Sequence, residues 1–132
     1  MIGIDTNVLL RYLTQDDARQ SRVATRFVEE QLTQVNPGHV SLVTVAETAW
    51  VLESRFAASQ AEVVDLVSHL MSDPRFVVQD QRAVWLALEA VERSAVDFPD
   101  ALIAFVNREH GCTNTVTFDA KAARIPGMTL LR

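Results

Sequence analysis

Four acidic residues stand where their neighbours favour burial: Asp5, Glu47, Asp100 and Asp119. Asp5 ends the apolar run MIGI and Glu47 lies inside LVTVAETAWVL, while Asp100 precedes ALIAFV and Asp119 follows VTF. A buried carboxylate is costly unless it is paired or neutralised. Oxygen ligands without a His or Cys cluster suit Mg²⁺ or Mn²⁺. If the four side chains meet, the chemistry they indicate is metal-assisted phosphoryl transfer.

Each acid also has a structural explanation of its own. Glu47 could lie on one exposed stripe of its helix. Asp100 would suit the positive end of a helix dipole, with Asp97 capping the same helix. Asp5 and Asp119 could each be the N-cap of a following helix. The joint pattern, rather than any single acid, favours a shared site.

Short apolar strands alternate with helical segments along the chain. Strands are predicted to end at Asp5 and to cover residues 39–41, 76–78, 113–117 and 128–131. Helices are predicted at residues 6–13, 16–32, 43–56, 61–71, 81–95 and 99–110. This alternation predicts an α/β fold: a three-layer α/β/α domain with a short, mainly parallel central sheet.

The predicted topology brings the four acids to one rim of the sheet. Asp5 and Asp119 end parallel strands, and Asp100 opens a helix that runs antiparallel to them. Glu47 lies in the first turns of the helix that follows the strand at Val40. Ligands of open α/β sheets bind beyond the carboxyl ends of the strands. We therefore expect the carboxylates to converge, with a divalent cation offsetting their repulsion.

Length and composition limit the alternatives. The 132 residues fit a single domain spanning 1–132, and 48% hydrophobic with 22% charged residues is typical of a globular protein. The only cysteine, Cys112, excludes an intrachain disulfide and is predicted to be a small core residue. Neither a signal peptide nor a run long enough to span a bilayer is evident. We therefore expect a soluble, cytoplasmic protein.

Four stretches together resemble a known family. IDTNVLLRYL, VTVAETAWVL, VDFPDALIA and VTFDAKAARIPG are similar, in order and spacing, to segments of the PIN-domain ribonucleases. The similarity is closer still to the VapC toxins of bacterial type II toxin–antitoxin pairs. It extends from Ile2 to about Gly127.

The resemblance implies roles for individual residues. It implies that the metal ligands are Asp5, Glu47, Asp100 and Asp119. Asp97 is a candidate further ligand, ranked below Asp100 because Asp100 directly precedes ALIA. Asn7 and Thr117 match polar positions that orient ligand carboxylates.

The resemblance also implies an activity and partners. It implies a Mg²⁺- or Mn²⁺-dependent endoribonuclease in which a metal-bound water attacks an RNA phosphodiester, leaving a 5′-phosphate and a 3′-hydroxyl. It further implies a homodimer and a small antitoxin protein that blocks the site.

Two other readings of the acids stay open. An aspartyl-phosphate phosphatase would need an acid two residues after Asp5, where this chain has Asn7, and an activating lysine, for which Lys121 is the only candidate. A receiver-like or scaffold domain would bind a metal ion without catalysis.

The cationic and aromatic residues give weaker indications. The net charge of −5 argues against a non-specific nucleic-acid binder. Arg11, close to Asp5, is the best candidate for RNA contact. A second row of arginines at helical spacing is predicted to form a salt-bridged, solvated face; it consists of Arg19, Arg22 and Arg26. Trp50 and Trp85 are predicted to lie in the core or in a dimer interface.

Overall fold

Five short strands, all paired in parallel, carry the fold. The computed structural model describes residues 1–132. Strands β1 (Ile2–Gly3), β2 (Gly38–Val40) and β3 (Phe76–Val78) form one sheet in that order. Strands β4 (Thr115–Thr117) and β5 (Met128–Leu130) form a separate parallel pair. The predicted α/β fold with a short parallel sheet is confirmed.

Helices form every long connection between these strands. They are α1 (Thr6–Thr14), α2 (Ala18–Gln31), α3 (Leu42–Arg55), α4 (Gln60–Ser72), α5 (Gln81–Ser94) and α6 (Phe98–Glu109). A short 3-10 helix, Ala122–Arg124, connects β4 to β5. No helix combines the length and the apolar character needed to cross a membrane.

Local capping determines where the helices near the sheet rim begin. The Ser41 side chain accepts a hydrogen bond from the backbone N–H of Thr44 and so starts α3 directly after β2. Ser59 and Glu62 form a reciprocal capping box at the start of α4. In α6, Pro99 occupies the first turn, where its missing N–H loses no intrahelical bond.

The core closes around the first residue of α6. Phe98 is fully buried, as are Val40 at the end of β2, Val84 in α5 and Val96 just before α6. These residues belong to one continuous cluster of 30 buried residues. Burying Phe98 fixes the entry to α6, whose first turn carries Asp100.

Gly38 lets β2 approach the neighbouring elements closely. A Cβ atom at this position would lie 2.9 Å from Cγ1 of Ile4 and 3.0 Å from Cδ1 of Leu32. Both distances are shorter than ordinary carbon contacts. Any larger residue at this position would have to displace these two side chains or β2 itself.

Glu47 lies on an exposed stripe of α3, which confirms the structural explanation considered for it and shows that its apolar neighbours do not bury it. Val43, Glu47 and Trp50 share one face of the helix, and all three are exposed, Val43 by 76% and Trp50 by 61%. Nothing else in the chain covers this face. Trp85 is 43% exposed, so neither tryptophan is a core residue, and their place in a dimer interface stays a prediction.

The prediction that Cys112 is a core residue is also wrong. Cys112 is an exposed free thiol that follows Gly111 in the turn after α6. Gly111 has a positive φ of 91°, which turns the chain away from the helix. This turn places the cysteine at the surface rather than against the sheet.

Candidate active site

Three helices that carry predicted site residues pack together. Helix α3, with Glu47, contacts both α1, which follows Asp5, and α6, which contains Asp100. Asp5 follows β1 by two residues and is the N-cap of α1, its carboxylate accepting a 2.9 Å hydrogen bond from the backbone N–H of Thr6. The capping role considered for Asp5 is therefore correct. It leaves the exposed carboxylate free to accept further bonds.

Asp119 is held at the carboxyl end of β4 by its immediate neighbours. Its Oδ1 atom accepts hydrogen bonds from the backbone N–H groups of Lys121, at 2.8 Å, and Ala122, at 3.3 Å. Its own N–H donates a 3.0 Å bond to Oγ1 of Thr117. Thr117 thus contacts the backbone of Asp119 and sets the direction in which that carboxylate leaves the strand.

Asp100 lies in an electrostatically unfavourable position. It lies partly buried in the first turn of α6, and no group in the protein donates a hydrogen bond to it. Burial raises the pKa of its carboxyl group, and the nearby charges of Asp119 and Asp97 raise it further. The positive charge of Lys121 acts in the opposite direction. Asp97, Asp100 and Asp119 therefore lie within electrostatic range of one another.

Asp97 does not cap α6 with its side chain. It occupies the N-cap position, but its carboxylate makes no capping hydrogen bond. Instead, Oδ1 accepts a 2.9 Å bond from Nζ of Lys121, on the segment that follows Asp119. The predicted cap is wrong because the ion pair takes the carboxylate away from the helix N–H groups.

Sequence reasoning missed a fourth carboxylate, that of Glu53 near the end of α3. Burial raises the pKa of Glu53, and the charges of Asp97 and Asp100 raise it further. Its Oε1 atom accepts a hydrogen bond from Nε2 of Gln60. Glu53 lies six residues after Glu47 and thus on a different face of α3, so no helical periodicity relates the two acids. We call Glu53, Asp97, Asp100 and Asp119 the acidic cluster.

Lys121 and Gln60 were also missed as parts of the site. Lys121 carried one signal, being the only lysine and lying two residues after Asp119. Gln60 carried none. Its Oε1 atom accepts a 2.8 Å bond from the backbone N–H of Phe98, which joins the start of α4 to the start of α6.

No hydrogen bond joins the other predicted ligands and Asn7 to the acidic cluster. Glu47 is exposed on α3, and Asn7 is exposed on α1. No three of the chain's His, Cys, Asp and Glu side chains lie close enough together to form a ready metal site. The four-carboxylate ligand set with Asp5 and Glu47 therefore stays a prediction.

The arginines differ from expectation. The guanidinium group of Arg11 is bonded to Oε1 of Gln20 at 2.7 Å and to Asp16 at 3.0 Å. The predicted face of α2 is solvated, as expected, but the prediction of salt bridges on it is wrong, because its three exposed arginines form no ion pair; they are Arg19, Arg22 and Arg26. The acids on the same helix do not come within ion-pair distance of them.

A groove of about 620 Å³ begins at Asp5 and runs between α1 and α2. Asn7 lies near its acidic end, and Arg11 and Arg19 line it further along the helices. Val8 and Val23 also line the groove and contribute apolar surface to it. The groove thus connects one predicted ligand with two of the cationic side chains on this side of the molecule.

The donor chemistry fits a hard divalent cation. The candidate ligands are all carboxylates, and Asp100 has neither a donor nor an ion-pair partner. One ammonium group stands against four carboxylates in the acidic cluster, so negative charge remains to be balanced. Mg²⁺ and Mn²⁺ prefer oxygen ligands of this kind.

Comparison with known proteins identifies the family of the chain. The family model described as PIN domain matches residues 2–128. PIN domains are generally nucleases and usually depend on divalent metals. No curated protein is significantly similar to the chain. Because the match covers almost the entire sequence, the chain belongs to the PIN domain family.

Proposed function

We propose that residues 1–132 form a single PIN domain that acts as a Mg²⁺- or Mn²⁺-dependent endoribonuclease. The proposed metal ligands are Asp5, Glu47, Asp100 and Asp119, with Asp97 as a further candidate. One observation carries the proposal: Asp100 lies in a nuclease-family fold, partly buried, repelled by two acids and without a donor. A bound dication supplies positive charge beside the phosphoryl group and lowers the pKa of its water.

Contacts within the chain hold the proposed ligands Asp100 and Asp119 in place. Burial of Phe98 fixes the start of α6 and with it the place of Asp100. Thr117 and the N–H groups of the following turn fix Asp119. Glu47, on the face of α3 exposed to solvent, is accessible to a ligand from outside. Asp5 and Glu47 are exposed, and the proposal requires that rotation of their side chains, which is rapid, brings them to the site.

RNA is the proposed substrate because PIN nucleases act on it, and the distribution of cations is compatible with a single strand. The net charge of −5 disfavours broad electrostatic attraction to nucleic acid. Arg11 and Arg19, which line the groove that begins at Asp5, offer a limited number of phosphate contacts. A substrate held by few cations would depend more on the metal site for its affinity.

We also propose the toxin role, with a small antitoxin protein and a second copy of the chain as partners. Support comes from the motif order described above and from the exposed apolar residues Val43 and Trp50 beside Glu47. A cytoplasmic location belongs to the same proposal, and the free thiol of Cys112 suits a reducing compartment.

The test is cleavage of end-labelled RNA by the purified chain, with Mn²⁺, with Mg²⁺ and with EDTA. We expect metal-dependent cleavage that leaves 5′-phosphate termini and is abolished in Glu47→Gln and Asp100→Asn. Asp65→Asn, which changes an exposed acid on α4, is the matched control and should cleave normally. Full activity in a folded Asp100→Asn variant, or equal cleavage in EDTA, would refute the proposal.

A further inference from the structure

We propose that Lys121 is a positioning residue whose ammonium group holds Asp97 and competes with the divalent cation for the acidic cluster. The inference rests on the proposed function, since it concerns the same carboxylates. It assigns to the ammonium group of Lys121 the role of an internal counter-ion that determines the affinity of the site for the metal ion.

Lys121 contacts the acidic cluster through both its side chain and its backbone. Its Nζ atom lies 2.9 Å from Oδ1 of Asp97. Its backbone N–H donates a 2.8 Å bond to Oδ1 of Asp119. The residue therefore links the start of α6, which carries Asp100, to Asp119, which follows the end of β4.

The charge of Lys121 reaches beyond its direct partner. It lowers the pKa of Asp100 and of Glu53, whereas burial and the neighbouring acids raise both. A dication bound by Asp100 and Asp119 would occupy the same region of negative potential. Like charges a few ångströms apart repel each other. Binding of the metal ion therefore competes with the ammonium group of Lys121 near Asp97.

The choice of lysine at this position supports an exchangeable contact. Of the chain's 12 lysine and arginine residues, only this one is a lysine. An ammonium group is a compact charge on a flexible stem, whereas a guanidinium group would form a bidentate pair with Asp97. The Lys121 side chain is 49% exposed, so it can leave Asp97 and enter water without crossing the core.

The first test is calorimetric titration of Mn²⁺ into the intact chain without RNA. We expect Lys121→Met to bind Mn²⁺ roughly three- to tenfold more tightly than wild type, since one repelling charge is removed. Lys121→Arg should bind as weakly as wild type or more weakly. Arg108→Met removes an unpaired exposed charge at the opposite end of α6 and should leave the affinity unchanged.

Two outcomes separate this inference from the proposed function. If wild type binds Mn²⁺ and Lys121→Met binds it no more tightly, the inference is wrong and the proposed function stands. If wild type binds no Mn²⁺, the proposed function fails and the inference fails with it. Circular dichroism of each variant establishes that the compared proteins are folded.

A second test observes the ammonium group directly. Reductive ¹³C-methylation keeps the charge of an amine, and here it labels only Lys121 and the α-amino group of Met1. We expect the NMR signal of Lys121 to shift on addition of Mg²⁺, and that of Met1, which is bonded to Asn36, to stay in place. In Asp97→Asn the Lys121 signal should start near its released position and move less. If saturating Mg²⁺ leaves the chemical shift of the Lys121 signal unchanged, the inference is overturned.

Discussion

The backbone N–H of Phe98 donates a hydrogen bond of 2.8 Å to Oε1 of Gln60. The other end of the same side chain donates to Glu53. One amide group thus joins α3, α4 and the first residue of α6 at the edge of the acidic cluster.

Replacing Gln60 with leucine should loosen this junction. The N–H of Phe98 would lose its acceptor in a partly buried setting, which costs about 1–2 kcal/mol of unfolding free energy. Because α6 positions Asp100, RNA cleavage should fall by more than the loss of folded protein explains. Urea unfolding and cleavage assays measure the two effects. Gln34→Leu, at an exposed site on the loop after α2, is the control, and equal stability in both variants would contradict the role given to Gln60.

Asp100→Asn should stabilise the fold while it abolishes activity. The pKa of Asp100 is raised by burial and by Asp119 and Asp97, so its ionised form destabilises the folded chain. This penalty develops as the pH rises from the ordinary aspartate pKa through the raised value. At neutral pH the variant should gain about 0.5–1 kcal/mol after solvent screening is allowed for. Urea titrations at about pH 3 and about pH 7, which lie roughly one unit below and three units above the pKa of a normal aspartate, should show the gain only at the higher pH.

Asp73 and Arg75 give the opposite pH dependence. Arg75 bonds to Asp73 through Nε at 3.0 Å and Nη2 at 2.7 Å, and its Nη2 also donates to the hydroxyl of Tyr12. The hydrogen bonds from Arg75 lower the pKa of Asp73, so this pair stabilises the fold above the ordinary aspartate pKa. The stabilisation is lost as the pH falls through the lowered value.

Asp73→Asn should therefore destabilise the protein by about 1 kcal/mol at neutral pH and progressively less in acid. Thermal unfolding across this pH range is the measurement. Asp65→Asn, whose exposed carboxylate approaches only His69, should show no such trend. A constant difference between wild type and Asp73→Asn at all pH values would disprove the ion-pair account.

Thr117 offers a test of how Asp119 is oriented. Thr117→Val keeps the shape of the side chain but removes the acceptor of the Asp119 N–H. We expect metal affinity and RNA cleavage to fall about 10- to 100-fold, as is typical when a group that orients a metal ligand is lost. Thr117→Ser retains the hydroxyl and should recover most of both. A valine variant as active as the serine variant would remove Thr117 from the site.

The sequence predicted the elements well where the signal is local. Apolar periodicity identifies α4 and α5, and Pro99 and Gly111 bracket α6 close to its observed ends. The apolar runs before Asp5 and Asp119 also located these acids correctly just after strands. These features depend on residues within a few positions of one another, which is why sequence alone could predict them.

Contacts between distant segments were beyond that reasoning. Lys121 meets Asp97 across 24 positions, and Gln60 meets Phe98 across 38. The prediction that Asp97 caps α6 is wrong because helix-start preferences contain no information about a lysine on another segment of the chain. The exposed stripe of α3 could be given only as one alternative for a related reason: an apolar residue such as Val43 indicates what it would prefer to contact, not whether any surface is there.

The tight fit at Gly38 has a consequence for mapping this protein by mutation. Adding a single methyl group there would force the packed side chains of Ile4 and Leu32, or β2 itself, to move, and β2 leads directly into α3. A displacement of β2 would carry α3 with it and shift Glu47 relative to Asp5, although neither acid had been altered. A screen for inactive variants should therefore recover substitutions at this glycine, which has no functional group of its own, alongside those at the acids.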